Sequence, residues 1–281
     1  MAAIGSVVVG KDLVRVMGII NASPESFYRG SIRTDTQDIA SAAKEMQRAG
    51  AQIVDIGAMS TAPYLETMVS VDEEVRRLKQ AIKAVKDSCS LPVSVDTPRA
   101  DVAKEAVKAG ADAINDVTGL QYDSKMASVI SEAKIAVILG AYSRQSASGR
   151  ISGTIAALRQ SLSAAKKAGI KQDKIIIDPS IGFFRSEGKN PFFTKMTDMP
   201  WYTRDIDILS NLGKLRKLGR PICVSASRKS FIGHLLGLQP EDRLAASLVC
   251  EAVAAINGAS IIRTHNVRQT VQALTMLQLV R

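Results

Sequence analysis

The chain has 281 residues, 46% apolar and 23% charged, enough to bury a full core without disulfides or a structural metal. Cys89, Cys223 and Cys250 lie far apart and form no zinc spacing with the two histidines, and neither a signal-peptide pattern nor an apolar run of about 20 residues is present, so a cytoplasmic protein is expected. The formal net charge is +10, but Lys and Arg are scattered as on an ordinary solvated surface and aromatic residues make up only 4%, which argues against a nucleic-acid stacking surface and is compatible with an anionic small substrate.

Taken in order, the chain alternates short apolar runs with amphipathic stretches. Residues 5–13 read as a short hairpin at the bottom of the fold. Buried parallel strands are predicted at 16–21, 52–56, 92–96, 113–116, 135–139, 174–178, 221–225 and 260–265, because each is rich in Val, Ile or Leu without clean polar alternation. Helices are predicted at 38–49, 71–86, 101–109, 155–168, 205–218 and 243–256. Most end just before a glycine, as a helix C-terminus does. Eight β-then-α units predict a (β/α)₈ TIM barrel with a short N-terminal hairpin, spanning 1–281 as a single domain. A doubly wound open sheet is the alternative. The least regular stretches, 22–35, 59–70, 141–153 and 180–202, all follow strands and therefore belong at the C-terminal face, where barrel enzymes keep their sites.

Polar residues gather where the strands stop: Asn21, Asp55, Ser60 and Thr61, Asp96, Asn115 and Asp116, Asp178, Ser227 to Ser230, and Arg263 with His265. One aspartate at a strand end is commonly a helix cap. Many on one rim describe a mixed pocket, whose carboxylates accept from the N–H groups of a heterocycle. Arg263 and His265, two apart on a strand, point the same way and can clamp an anion. Backbone N–H groups at the helix start after Ser230 suit a second anion. His234, inside a helix-like run, reads as structural.

Several of these segments resemble the signatures of dihydropteroate synthases. They are Met17-Gly-Ile-Ile-Asn21-Ala-Ser-Pro-Glu-Ser-Phe27, Asp55-Ile-Gly-Ala-Met-Ser-Thr61, Ser94-Val-Asp-Thr97 with Ala113-Ile-Asn-Asp-Val-Thr-Gly119, Asp178-Pro-Ser-Ile-Gly-Phe183, Ser227-Arg-Lys-Ser-Phe-Ile-Gly233 and Arg263-Thr-His265. The resemblance implies a (β/α)₈ barrel, commonly dimeric, that joins 6-hydroxymethyl-7,8-dihydropterin diphosphate to p-aminobenzoate and releases diphosphate. It implies that Asp96, Asn115, Asp178, Phe183 and Lys229 hold the pterin. Asn21, Thr61, Arg263 and His265 would serve the diphosphate, with Mg²⁺ bridging its phosphates and Asn21. Ser230 and Pro63 would meet the arylamine, and Asp96, Lys229 and Arg263 would be the catalytic set.

The chain departs from the family pattern in its first two loops. A run that normally reads Asp-Ser-Phe-Ser-Asp-Gly-Gly is Glu25-Ser-Phe-Tyr-Arg-Gly-Ser31, so Arg29 replaces an aspartate. The usual Ser-Thr-Arg-Pro-Gly is Ser60-Thr-Ala-Pro-Tyr64, so Ala62 replaces an arginine. Leu139-Gly140 stands for a usual Met-His, Ser180 for a glycine and Arg185 for a lysine, and 186–202 is a distinctive aromatic loop whose rings are expected to pin it. The pterin half is thus preserved and the arylamine half remodelled. Arg29 and the basic net charge suit a phosphoribosylated arylamine of the methanopterin type. The other readings are a pterin-dependent methyltransferase acting on a corrinoid partner and a pterin-binding protein without turnover.

Overall fold

The computed structural model describes residues 1–10, 13–25, 30, 32–33 and 35–280. In chain order it runs β1 (Ala2–Ile4), β2 (Val7–Val9), β3 (Arg15–Asn21), α1 (Thr36–Arg48), β4 (Ile53–Gly57), α2 (Val71–Ser88), β5 (Val93–Asp96), α3 (Ala100–Lys108), β6 (Ala113–Asp116), α4 (Met126–Ala133), β7 (Ala136–Gly140), α5 (Ile151–Lys167) and β8 (Ile175–Asp178). There follow β9 (Phe184–Arg185), β10 (Thr194–Lys195), α6 (Trp201–Asn211), β11 (Cys223–Val224), α7 (Ser230–Leu236), α8 (Leu244–Ile256), β12 (Ile261–Thr264) and α9 (Val267–Leu279).

Eight parallel strands form one sheet in the order β11-β12-β3-β4-β5-β6-β7-β8, and a parallel bridge between Ile177 and Ile222 closes it into a barrel. The barrel expectation therefore holds over the open sheet. Strand side chains alternate between two surroundings. One set, including Val16, Val54, Ile56, Val95, Ile114, Val137, Leu139, Ile177 and Ile262, packs under the surrounding helices. The other set points into the barrel. Its lower members, Met17, Ile53, Ala113, Ile138, Ile176, Cys223 and Ile261, form a separate apolar cluster with Ala2, Ile4 and Val9. The hairpin β1–β2 is thus the plug of the barrel floor, set three or four residues earlier than 5–13.

Local chemistry starts the helices where the chain leaves the barrel. Asp35 accepts from Gln37 N at 2.8 Å at the head of α1, and Ser70 Oγ accepts from Glu73 N at 3.2 Å at the head of α2. Three boundaries differ from the sequence expectation. The stretch 205–218 is split into α6, which starts earlier at Trp201, and a 3₁₀ turn over Leu212–Leu218. The strand expected at 221–225 is only β11, two residues long. The helices α4 and α9 were not anticipated, and neither was the small parallel pair β9–β10 inside the 180–202 loop. No helix among the described residues is long and apolar enough to cross a membrane.

Ile4 is fully buried at the barrel floor. Truncation by Ile4→Ala leaves a cavity there and is expected to destabilise the protein by about 2–4 kcal/mol in urea denaturation.

Candidate active site

The inward-facing set changes character partway up the barrel. Register pairs Ile19 with Asp55, Gly57 with Asp96, Asp96 with Asn115, and Gly140 with Asp178. The positions two residues above the apolar floor on several strands are thus polar, and they meet at the C-terminal mouth. There they line two adjoining lobes. The inner one, about 360 Å³, is lined by Asp96, Asn115, Gly140, Asp178, Phe183 and Lys229 among others. The outer one, about 680 Å³, is lined by Asn21, Thr61, Pro63, Tyr64, Ser230 and His265 among others. Asp96, Phe183, Ser225, Lys229 and Arg263 border both lobes. The residues that the family resemblance assigned to the site, from Asn21 to His265, therefore lie around one continuous cleft.

Arg263 is the hub of this cleft. Its Nε donates to Asp55 Oδ2 at 2.6 Å and its Nη2 to Asp96 Oδ2 at 2.8 Å. Asn115 Nδ2 donates to the same Asp55 oxygen at 3.2 Å, which fixes which way the amide faces. Burial opposes the charge on Arg263, yet Asp55 and Asp96 together raise its pKa. Burial pushes Asp96 up to about 7 against the pull of Arg263. Its Oδ1 is buried without a hydrogen-bond partner. Such an oxygen is costly unless a ligand N–H satisfies it. Burial and the nearby Arg263 bring Lys229 down to about 8, and its Nζ stands 4.7 Å from the Phe183 ring centre. His265 is held well below its ordinary pKa, by burial first and then by Arg263 and Lys229. Burial and these two cations thus disfavour its imidazolium form.

The turns above the strands are held by buried polar groups, and one of them, Asp116, was expected on the rim. Asp116 does not face the cleft. Its oxygens accept from Thr118 N and Oγ1 at 2.8 and 2.6 Å and from Leu120 N at 2.7 Å, so it caps its own turn. That turn presses on Gly140, where an added Cβ would stand 2.2 Å from Val117 O. No larger side chain fits at position 140 here, which accounts for the loss of the family's histidine. The fully buried Arg204 donates to Ser180 O at 2.9 Å, Pro179 O at 2.7 Å and Thr154 Oγ1 at 3.0 Å, and pairs with Asp205 at 3.1 Å. Asp205 in turn accepts from Gly182 N at 3.0 Å, so the pair carries the whole loop after β8. Ser180 sits at φ 56°, a left-handed conformation that favours the glycine found in the family.

The outer lobe is walled by the loop after β4. Two residues of the 186–200 stretch hold that wall from outside. Lys189 N donates to Pro63 O at 2.7 Å, and Asn190 Nδ2 donates to Ala62 O at 2.8 Å. The aromatic loop does more than pin itself. Phe192 does anchor it, edge-on to Tyr122 at 5.1 Å, while Trp201 stacks on Arg185 at 3.6 Å. Arg29, the charge reversal in the first loop, and Phe27 lie outside the described residues. His234 stacks on Tyr202 at 4.2 Å on the surface, as expected of a structural residue. The functional neighbours missed in the sequence are Arg204, Asp205 and Arg185. Only Arg185 carried a signal there, as a departure from the family lysine.

A profile of the family described as pterin binding enzyme matches residues 17–265, and the chain belongs to that family. Among its relatives is the dihydropteroate synthase of Bacillus subtilis (strain 168), 35% identical over 95% of this chain and 88% of that protein. Another is the dihydropteroate synthase of Escherichia coli (strain K12), 32% identical over 94% and 90%. Among solved structures, a Coxiella burnetii dihydropteroate synthase in complex with pteroic acid superposes with a TM-score of 0.83, at 35% identity, covering 97% of each chain.

Two outcomes follow from this geometry. Ser180→Gly removes a left-handed serine and its buried, unpartnered hydroxyl, and is expected to raise stability by about 1 kcal/mol by thermal denaturation. For Asp96, the folded pKa near 7 lies above the ordinary carboxylate range, so between about pH 4 and 7 the folded protein holds a proton that the unfolded chain has lost. This group's contribution to stability is present in acid and is lost as pH rises through 7. Asp178 and Glu74 are raised in the same sense by burial. Asp96→Asn should therefore flatten, without abolishing, the fall in stability across that window, read by urea denaturation at several pH values.

Proposed function

We propose that this protein condenses 6-hydroxymethyl-7,8-dihydropterin diphosphate with p-aminobenzoate or a closely related arylamine and releases diphosphate. The observation that carries the reading is the pair of adjoining lobes sharing Asp96, Phe183, Lys229 and Arg263. The inner lobe has the carboxylates and amide that a pterin's ring N–H groups require, and the outer lobe has room for an anion and an aromatic amine. The relatives' identity as dihydropteroate synthases agrees with it.

In this reading Asp178, Asp96 and Asn115 bind the heterocycle, Phe183 covers its face and Lys229 donates to its acceptor edge. The arylamine nitrogen forms a bond to the exocyclic methylene as the bond to diphosphate oxygen breaks. The electron pair leaves with the diphosphate, and the new ammonium then loses a proton. Positive charge that builds on the methylene and ring is stabilised by Asp96 and Asp55, already fixed by Arg263. Asn21, Thr61, Arg263 and His265 bind the leaving group. Among the described residues no cluster of three or more His, Cys, Asp or Glu could hold a metal. A Mg²⁺ would therefore be held mainly by the substrate's phosphates and water, with the Asn21 amide oxygen as the protein contact, and would offset leaving-group charge.

The outer lobe fits p-aminobenzoate, and a phosphoribosylated arylamine is the second reading, carried by the basic residues Arg185 and Arg243 around Tyr64. We further read the protein as a cytoplasmic homodimer, with its three cysteines unpaired. Val249 and Ile256 on α8 and Met276 and Leu279 on α9 are exposed on two helices that pack together, and a second copy would cover them.

Calorimetry with the reduced pterin diphosphate should show binding to the wild type and a loss of roughly 10- to 100-fold in Asp178→Ala, since a buried carboxylate acceptor is worth about 1.5–3 kcal/mol. Parallel assays with p-aminobenzoate and its phosphoribosyl analogue identify the acceptor. Tight pterin binding with no product from either would point to a binding protein, and methyl transfer from a methylated tetrahydropterin to cobalamin would point to the methyltransferase.

A further inference from the structure

Arg185 is 93% buried at the start of the aromatic loop, with a relative exposure of 7%. Among the described residues it has no carboxylate partner. Its Nε donates to the Gly182 carbonyl at 3.1 Å, and its Nη2 donates to Ser230 Oγ at 2.6 Å. The guanidinium lies on the Trp201 ring at 3.6 Å and stands 5.6 Å from the Tyr64 ring centre. Tyr64 and Ser230 both line the outer lobe. Burial works against the charge on Arg185, with distant Asp205 only partly offsetting it. A buried cation without a counter-ion is costly, and the stack on Trp201 offsets only part of that cost.

The hydrogen bond to Ser230 has a directional consequence. A guanidinium only donates, so Ser230 Oγ spends a lone pair on it. The hydroxyl proton of Ser230 is then left to point elsewhere, and the outer lobe lies on its open side. A donor backed by a cation selects an anionic acceptor over a neutral one.

We propose that Arg185, acting through Ser230, is the positioning residue that makes the outer lobe selective for an arylamine bearing an acid group. It supplies a positive charge from the loop after β8 to a lobe whose wall after β4 carries the neutral Ala62. This deepens the synthase reading and rests on it. Trp201 and the brace of Lys189 and Asn190 on Ala62 and Pro63 keep the two walls at a fixed spacing around that charge.

The test compares p-aminobenzoate with p-aminobenzamide, a neutral amine of the same shape, in steady-state kinetics at saturating pterin diphosphate. The wild type should prefer the acid. Arg185→Gln should raise KM for the acid roughly tenfold or more, change KM for the amide little, and leave kcat within about twofold. Arg185→Lys should recover a good part of the acid preference. Arg185→Met, which keeps the stacked stem, is the second uncharged variant if Gln does not fold. Pterin diphosphate binding by calorimetry checks that each variant's inner lobe is intact. A rise in KM shared equally by acid and amide, or an unchanged acid preference in the uncharged variants, overturns the proposal and assigns Arg185 to loop structure alone. If the wild type turns over neither amine, nor the phosphoribosyl analogue, while binding the pterin, the synthase reading fails, and the proposal fails with it; turnover with unchanged preference defeats the proposal alone.

Discussion

The bridge from Arg263 to Asp55 and Asp96 is the interaction on which the rest of the site depends. It spans β12, β4 and β5 across the barrel mouth at 2.6 and 2.8 Å. Three charges buried together cost a great deal of hydration, and such a cluster contributes little net stability. What it secures is orientation. With Arg263 held from two sides, Asn115 is turned by Asp55 and one oxygen of Asp96 is left facing the inner lobe. The carboxylates are in place before any substrate arrives, and that is the condition for stabilising charge that develops only during reaction.

Around this hub the chain builds its site in layers. The barrel floor, plugged by β1–β2, is wholly apolar. The turns above the strands are fixed by buried groups that never touch the cleft, Asp116 in its own turn and Arg204 with Asp205 under the loop after β8. The loops of the outer lobe then lean on one another. The loop after β4 is braced by Lys189 and Asn190, and Arg185 ties the loop after β8 to the head of α7. Among the described residues, the departures from the family pattern fall in these loops or where backbone crowds the wall, as at Gly140.

Much of this was legible in the linear chain. Apolar runs two-sided in their hydrophobicity announced buried parallel strands, and a single polar residue near the end of each announced the rim. Period two then makes Asp55, Asp96, Asn115, Asp178 and Arg263 face inward without any knowledge of the three-dimensional structure. The strand ends of β3 to β8 were readable to within a residue or two for the same reason. The helices α4 and α9 were less legible, because α4 is only eight residues long and neither helix ends at a glycine.

The sequence by itself determined which residues are inside the barrel, where the apolar interior gives way to a polar mouth, and which family the motifs resemble, because alternation along a strand is a local rule. Only the tertiary structure decided how those polar groups divide their work. Arg263 and Asp55 are separated by 208 positions, Arg185 and Ser230 by 45, and Asn190 and Ala62 by 128. Partners so far apart in the chain are chosen by barrel closure and loop packing, which no local pattern encodes. The same closure sets the burial that lifts the pKa of Asp96 and lowers those of Lys229 and His265.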